Sequence, residues 1–88
     1  MVLDNIHNHY EKLVFEEALN QREAQRKEIR EGMLEDVVCV ALNHLPARYV
    51  RHSIDFAFYM TPKEREKMTK LVRNAVKDAY KLVLKNPH

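Results

Sequence analysis

Apolar positions in the first twenty residues return at steps of three and four: Ile6, Tyr10, Leu13, Val14 and Ala18. That spacing lines one face of a helix. Asp4 or Asn5 just ahead can accept a hydrogen bond from a free N–H of a first turn, so the helix is expected to begin there. From Asn20 to Glu31 the pattern turns polar, with only Ala24 and Ile29 apolar. Glu23, Lys27 and Glu31 alternate in sign at i, i+4 spacing, which supports an exposed helix. The stretch is predicted to project as a helical extension, open to fraying.

Gly32 is expected to break or bend the chain. Met33 to Leu45 then reads as a second helix, apolar over more than half its circumference: Met33, Leu34, Val37, Val38, Val40, Ala41, Leu42 and Leu45. A helix of that composition is predicted to be buried on nearly all sides, Cys39 with it. Pro46 ends it, because the residue before a proline avoids the helical region. Between Val50 and Met60 the period changes. Val50, Ile54, Phe56, Phe58 and Met60 share one parity, while Tyr49, Arg51, Ser53, Asp55 and Tyr59 share the other. Period two marks an extended segment, and a short helix through Ile54, Ala57 and Phe58 is the competing reading. Thr61-Pro62-Lys63-Glu64 then combines a capping threonine, a proline at the first helical position and a glutamate at the third. A last helix is predicted from there to about Lys85, with Met68, Leu71, Val72, Ala75, Val76, Ala79, Leu82 and Val83 on one face and Arg73, Lys77, Lys81 and Lys85 on another.

Composition narrows the class. One glycine and three prolines are poor punctuation for a β protein and ordinary for a helical one. The 88 residues make one domain, 1–88, with a marginal core. A small domain commonly adds a disulfide, a metal or a second subunit. The single cysteine, Cys39, excludes an internal disulfide, and His7, His9, His44, His52 and His88 do not fall into a zinc-ligand spacing with it. No metal or cofactor is expected, and a homodimer is the remaining source of buried area. The expected fold is all-α: about three main helices, with a short irregular or extended segment between the second and the last. The longest apolar run, Val37 to Leu42, is too short to span a bilayer, and Asp4 and Glu11 sit where a signal peptide would be basic and then apolar. With a lone cysteine in an apolar stretch, the expectation is a cytoplasmic protein without a membrane role.

Charge is uneven. Residues 1–36 hold nine acids and five bases, net −4; residues 37–88 hold four acids and ten bases, net +6. A single glycine leaves no room for a phosphate-binding glycine loop, and no Ser/His/Asp or Cys/His set is legible, so no catalytic residues are expected and the chain is read as a binding protein, not an enzyme. Three features carry candidate chemistry. Arg22, Arg26 and Arg30 recur every four residues on the polar extension; residues 20–31 could recruit a downstream protein, or form a solvated face. The cations of the last helix, Arg73 and Lys77 foremost, offer a secondary anion site against the same bland alternative. Arg48, Tyr49, Arg51, His52 and Asp55 place two guanidiniums, two rings and a carboxylate within eight residues. Guanidinium forks grip phosphates or the O6/N7 edge of guanine, a carboxylate accepts from guanine N–H groups, and tyrosine stacks on a base. Surface salt bridging around a packed tyrosine is the competing reading. DNA ranks low as a partner, because bases are interspersed with acids and no DNA-reading motif occurs.

The stretch Asp36-Val37-Val38-Cys39-Val40-Ala41-Leu42-Asn43-His44-Leu45-Pro46-Ala47-Arg48-Tyr49 resembles the signature of the late competence development protein ComFB family. Ala47 stands where that signature usually has a second proline. The resemblance extends over the whole chain in organisation. It implies an all-α homodimer and, from some members, a receptor for cyclic dinucleotides, chiefly cyclic di-GMP. The structural zinc of cysteine-rich members is not carried over, since the cysteines are missing. On this reading the ligand residues are Arg48, Tyr49, Arg51, His52, Asp55 and Asn43, of which Asn43 and Tyr49 also match the signature. A structural homodimeric adaptor linked to competence and DNA uptake, without a small-molecule ligand, is the alternative function.

Overall fold

The computed structural model describes residues 6–47, 49–50 and 60–85. Within them the order is β1 (His7–Asn8), α1 (Tyr10–Arg22), α2 (Glu31–Asn43), β2 (Tyr49–Val50) and α3 (Pro62–Lys85). The two strands are antiparallel, His7 opposite Val50 and Asn8 opposite Tyr49. Three helices therefore carry the fold, as expected, and each packs on the other two. The extended reading of the segment after Pro46 holds for Tyr49–Val50; its remainder, 51–59, lies outside the described residues.

The first helix starts later than its spacing predicts. Asp4 and Asn5 lie outside the described residues, and Asn8 does the work assigned to them: its Oδ1 accepts from the Tyr10 backbone N–H at 3.1 Å. Tyr10, Val14 and Ala18 point inward, and Leu13 packs beside them. Ile6 precedes the helix and is exposed.

The projecting helical extension does not exist. α1 stops at Arg22 and the chain turns back through 23–30. Neither glycine nor proline makes this turn. Backbone and side-chain donors make it together, in part by satisfying the carbonyls that a helix end leaves open. Backbone N–H groups of Ala24 and Gln25 donate to Gln21 and Arg22 at 3.1 and 3.2 Å. The Gln25 amide donates to the Gln21 carbonyl at 2.9 Å. The Arg22 guanidinium reaches across the turn to the Ile29 carbonyl. Ile29, the lone large apolar residue of the polar stretch, is thereby 2% exposed. Arg22, Arg26 and Arg30 are exposed, but they sit around a turn and form no stripe.

Gly32 is not the breakpoint. It lies in the first turn of α2 with negative φ, and a methyl group there would meet nothing within 4 Å. Nor is α2 buried all round. Leu34, Val37 and Ala41 are inside, Val38, Val40 and Leu42 are half-buried, and Cys39 is exposed. With α1 and α3 packed on one side of α2, its opposite side stays open. The helix ends at Asn43; His44 and Leu45 close it with N–H bonds to Ala41 and Leu42, ahead of Pro46.

α3 begins as predicted. Thr61 Oγ1 accepts from Glu64 N–H at 3.1 Å, and the Thr61 carbonyl accepts from Arg65 N–H at 3.0 Å. Met68, Val72, Val76, Ala79 and Val83 form its inner face, while Leu71 and Leu82, expected on that face, are 40% and 44% exposed. Tyr80 takes the place inside that the apolar pattern did not assign. Its ring is 1% exposed and its hydroxyl donates to the Ala18 carbonyl at 2.6 Å. Ala18, Ala41 and Ala79, one small residue from each helix, are buried as well.

Two outcomes follow from this packing. Gly32→Ala should raise the unfolding free energy by about 0.5 kcal/mol, since the helix gains propensity and nothing is displaced; a destabilised variant in urea titration would contradict the open space. Burial pushes the Tyr80 phenol above its ordinary pKa, partly opposed by the nearby Arg22 charge. A raised folded-state pKa contributes stability that is complete below the unfolded value of about 10 and is lost as pH rises through the folded value. Tyr80→Phe should cost about 1 kcal/mol at neutral pH and weaken that alkaline loss, both measured by urea unfolding across pH.

Candidate functional site

Most of the residues singled out by chemistry lie outside the described residues: Arg48, Arg51, His52 and Asp55. Tyr49 is described through its backbone, which pairs with Asn8 in β1. That pairing ties the start of the Arg/Tyr segment to the chain immediately before α1. Asn43 is exposed at the last position of α2. Arg73 and Lys77 are exposed one turn apart on α3, and the Arg73 carbonyl accepts from the Gln21 amide at 3.1 Å. The residues 20–31 proposed as a docking arm are the turn described above.

The structure adds a feature that the sequence pattern did not. Pro46 and Met60, which bracket the Arg/Tyr segment, line one hollow of about 250 Å³ together with Tyr10, Glu64, Lys67, Met68 and Leu71. Three elements meet there: the start of α1, the chain leaving α2 and the first turns of α3. Tyr10 and Met68 are buried and give it an apolar floor; Glu64 and Lys67 are exposed at its rim. A second hollow adjoins it, sharing Glu64 and Lys67 and lined also by Thr61, Lys63, Glu66 and Lys70. Its volume is about 570 Å³.

The chemistry of this double hollow is readable from its lining. An apolar floor accepts a flat ring. Ammonium groups of Lys63, Lys67 and Lys70 attract phosphate, and the positive end of the α3 dipole adds to them. The carboxylates of Glu64 and Glu66 accept N–H groups. Lys70 is partly committed, 3.7 Å from Glu66, with both side chains exposed. Among the described residues no three His, Cys, Asp or Glu side chains converge as metal ligands. The capping box was the available signal for this place. A capped helix start with lysines in its first turns marks a cationic surface, and only the fold shows that Pro46 and Met60 border it.

A third hollow lies on the open side of α2. Phe15, Glu31, Leu34, Glu35, Val38 and Cys39 line about 470 Å³ of mostly apolar wall. Phe15 is 47% exposed and Leu19, one turn further along α1, 41%. Cys39 thus faces solvent in a single chain. Among the described residues no helix is long and apolar enough to cross a membrane.

Residues 7–87 match the family model described as late competence development protein ComFB. No curated protein matches the chain.

Proposed function

The chain belongs to the ComFB family, whose model spans nearly all of it, and on that premise we propose that it is a cytoplasmic, non-catalytic receptor for a cyclic dinucleotide, cyclic di-GMP first. One observation supports this reading most: the two residues that bracket the Arg48–Asp55 cluster, Pro46 and Met60, line the same hollow, with Lys67 at its rim and Lys63 and Lys70 in the hollow that shares Glu64 and Lys67 with it. A cyclic dinucleotide carries two phosphates and two purines. It needs cations, ring platforms and carboxylates at one place. The segment supplies Arg48, Tyr49, Arg51, His52 and Asp55, Asn43 precedes it at the end of α2, and the hollow supplies Lys63, Lys67 and an apolar floor. The family description names competence, which is a process and not a molecular activity.

Calorimetric titration with cyclic di-GMP, cyclic di-AMP and GTP tests the reading. Arg51→Ala should weaken cyclic di-GMP binding by about 2 kcal/mol, the scale of a charge-assisted hydrogen bond, without unfolding the protein. Lys67→Ala, an exposed rim charge, should cost less, about 1 kcal/mol. Unchanged affinity in both Arg48→Ala and Arg51→Ala would move the site to Arg73 and Lys77. Saturating ligand should also raise the melting temperature, because a ligand at about 100 times its Kd adds about 2.7 kcal/mol. No heat with any of the three, and no shift in melting, would leave the alternative: a homodimeric adaptor without a small-molecule ligand.

The homodimer is part of the same proposal. The chain exposes Phe15, Leu19 and Cys39, with Val38 half-buried beside them, on one side of α1 and α2, and burying such apolar side chains favours association. A two-fold arrangement would lay this face on its own copy. Sedimentation at micromolar concentration should give twice the 10.5 kDa of the chain. Phe15→Glu should shift it to monomer, and Cys39 should react faster with a thiol reagent in that variant than in the parent. A parent that sediments as monomer, or a Cys39 rate that Phe15→Glu leaves unchanged, would remove this face as the interface.

A further inference from the structure

The solvent side of α3 carries an unusual arrangement of charge. At about 100° per residue, Lys63, Lys67, Lys70, Lys77, Lys81 and Lys85 fall within an arc of about 80°, opposite the buried face. All six are exposed. They form a straight ridge about 33 Å long at 1.5 Å per residue. Of these six lysines only Lys70 has a carboxylate partner among the described residues, Glu66. A solvated helix ordinarily alternates sign, as α1 does where Lys12 meets Glu16 at 4.0 Å. Here Lys63 and Lys67, Lys77 and Lys81, and Lys81 and Lys85 are like charges one turn apart, which weakens an isolated helix. The ridge is not purely ionic. Leu71 and Leu82 flank it on one side, eleven residues or three turns apart, and both are about two-fifths exposed.

We propose that this ridge is a docking face for an acidic helical segment of another protein, with carboxylates set against the lysines and apolar side chains against Leu71 and Leu82. The composition favours this partner over a polyphosphate. Arg73 is the one arginine flanking the ridge and no aromatic ring lies on it for a base, while Glu64, Glu66 and Asp78 border it and would be pressed against a phosphate backbone or an anionic leaflet. A protein partner accommodates both the bordering carboxylates and the two leucines, in the manner of a coiled-coil flank where charges choose the partner and apolar residues hold it. The surface lies outside the nucleotide reading for most of its length. Only Lys63, Lys67 and Lys70 are shared with the hollow.

Fluorescence anisotropy tests this with the full chain and a labelled helical peptide as long as the ridge, carrying Glu one turn apart along one side and two Leu eleven residues apart. The peptide should bind. Its affinity should fall about tenfold or more between about 50 and about 300 mM NaCl, as screening predicts. Lys81→Glu with Lys85→Glu, at the end of the ridge away from the hollow, should abolish binding, and Leu82→Ser should weaken it, both with cyclic di-GMP titration unchanged. Four results would overturn the assignment. The same peptide with Gln for Glu binds as well; the acidic peptide does not bind; duplex DNA or phosphatidylglycerol vesicles bind more tightly and lose binding in the double variant; or the double variant dissociates the homodimer, which would make a second copy the occupant. Loss of cyclic di-GMP binding in Arg51→Ala leaves this test untouched, so the two proposals fail separately.

Discussion

Tyr80 holds the longest helix to the shortest route back through the fold. Its ring fills the centre of the bundle and its hydroxyl ends on the Ala18 carbonyl, one turn before α1 stops. A buried phenol needs an acceptor, and a helical carbonyl has a second lone pair to offer. The same stretch of α1 gives the Gln21 amide to the Arg73 carbonyl and the Arg22 guanidinium to Ile29. Three side-chain bonds therefore converge where the chain reverses, and they fix how α1, the turn and α3 sit together. Everything placed by α3, including both hollow-lining turns and the lysine ridge, inherits its position from that junction.

The helices themselves were legible because apolar spacing and caps agree in them. Val14, Ala18, Val37, Ala41, Val72, Val76 and Val83 all sit inside, where three-and-four spacing puts them. Thr61 and Pro62 mark the start of α3 because their chemistry is local. The turn at 23–30 was not legible, because its causes are long-range. Glu23, Lys27 and Glu31 do satisfy a helical charge pattern, and nothing nearby in sequence opposes it. The burial of Ile29 and the bonds made by Arg22 and Gln21 outweigh that pattern, and pairs at i, i+4 are worth only about 0.2–0.5 kcal/mol each. Tyr80 escaped for a related reason: a polar tip makes it read as a boundary residue until an acceptor is found for it.

Cys39 and α2 show the opposite failure. Apolar content alone implied enclosure, yet a chain of 88 residues has little surface to spare for covering a helix on every side. A three-helix layer covers one side of α2 and leaves Val38 and Cys39 toward the outside. Surplus apolar character in so short a chain is thus a statement about surface as much as about core. Of the candidate site, the residue types were visible in Arg48 through Asp55, but the neighbours were not. Tyr10 is far from that cluster in sequence and meets its bracketing residues only through the packing of α1 on α3.

α3 divides its circumference and its length between tasks. Its inner face makes the core, its first turns border the hollows, and its outer ridge runs the whole way. Lys63 and Lys67 belong to both of the last two. A dianionic ligand seated against them would lower the positive potential at that end of the ridge, while Lys77, Lys81 and Lys85, more than a Debye length of about 8 Å from Lys67 along the helix, would keep theirs. An acidic segment docked along the full ridge would then bind less tightly to the liganded form, and by reciprocity the segment would weaken the ligand by the same factor. The sign of that coupling is set by charge alone. It requires no movement of the helices, which suits a bundle whose junction is tied by the buried Tyr80–Ala18 hydrogen bond and the bonds of Gln21 and Arg22 beside it.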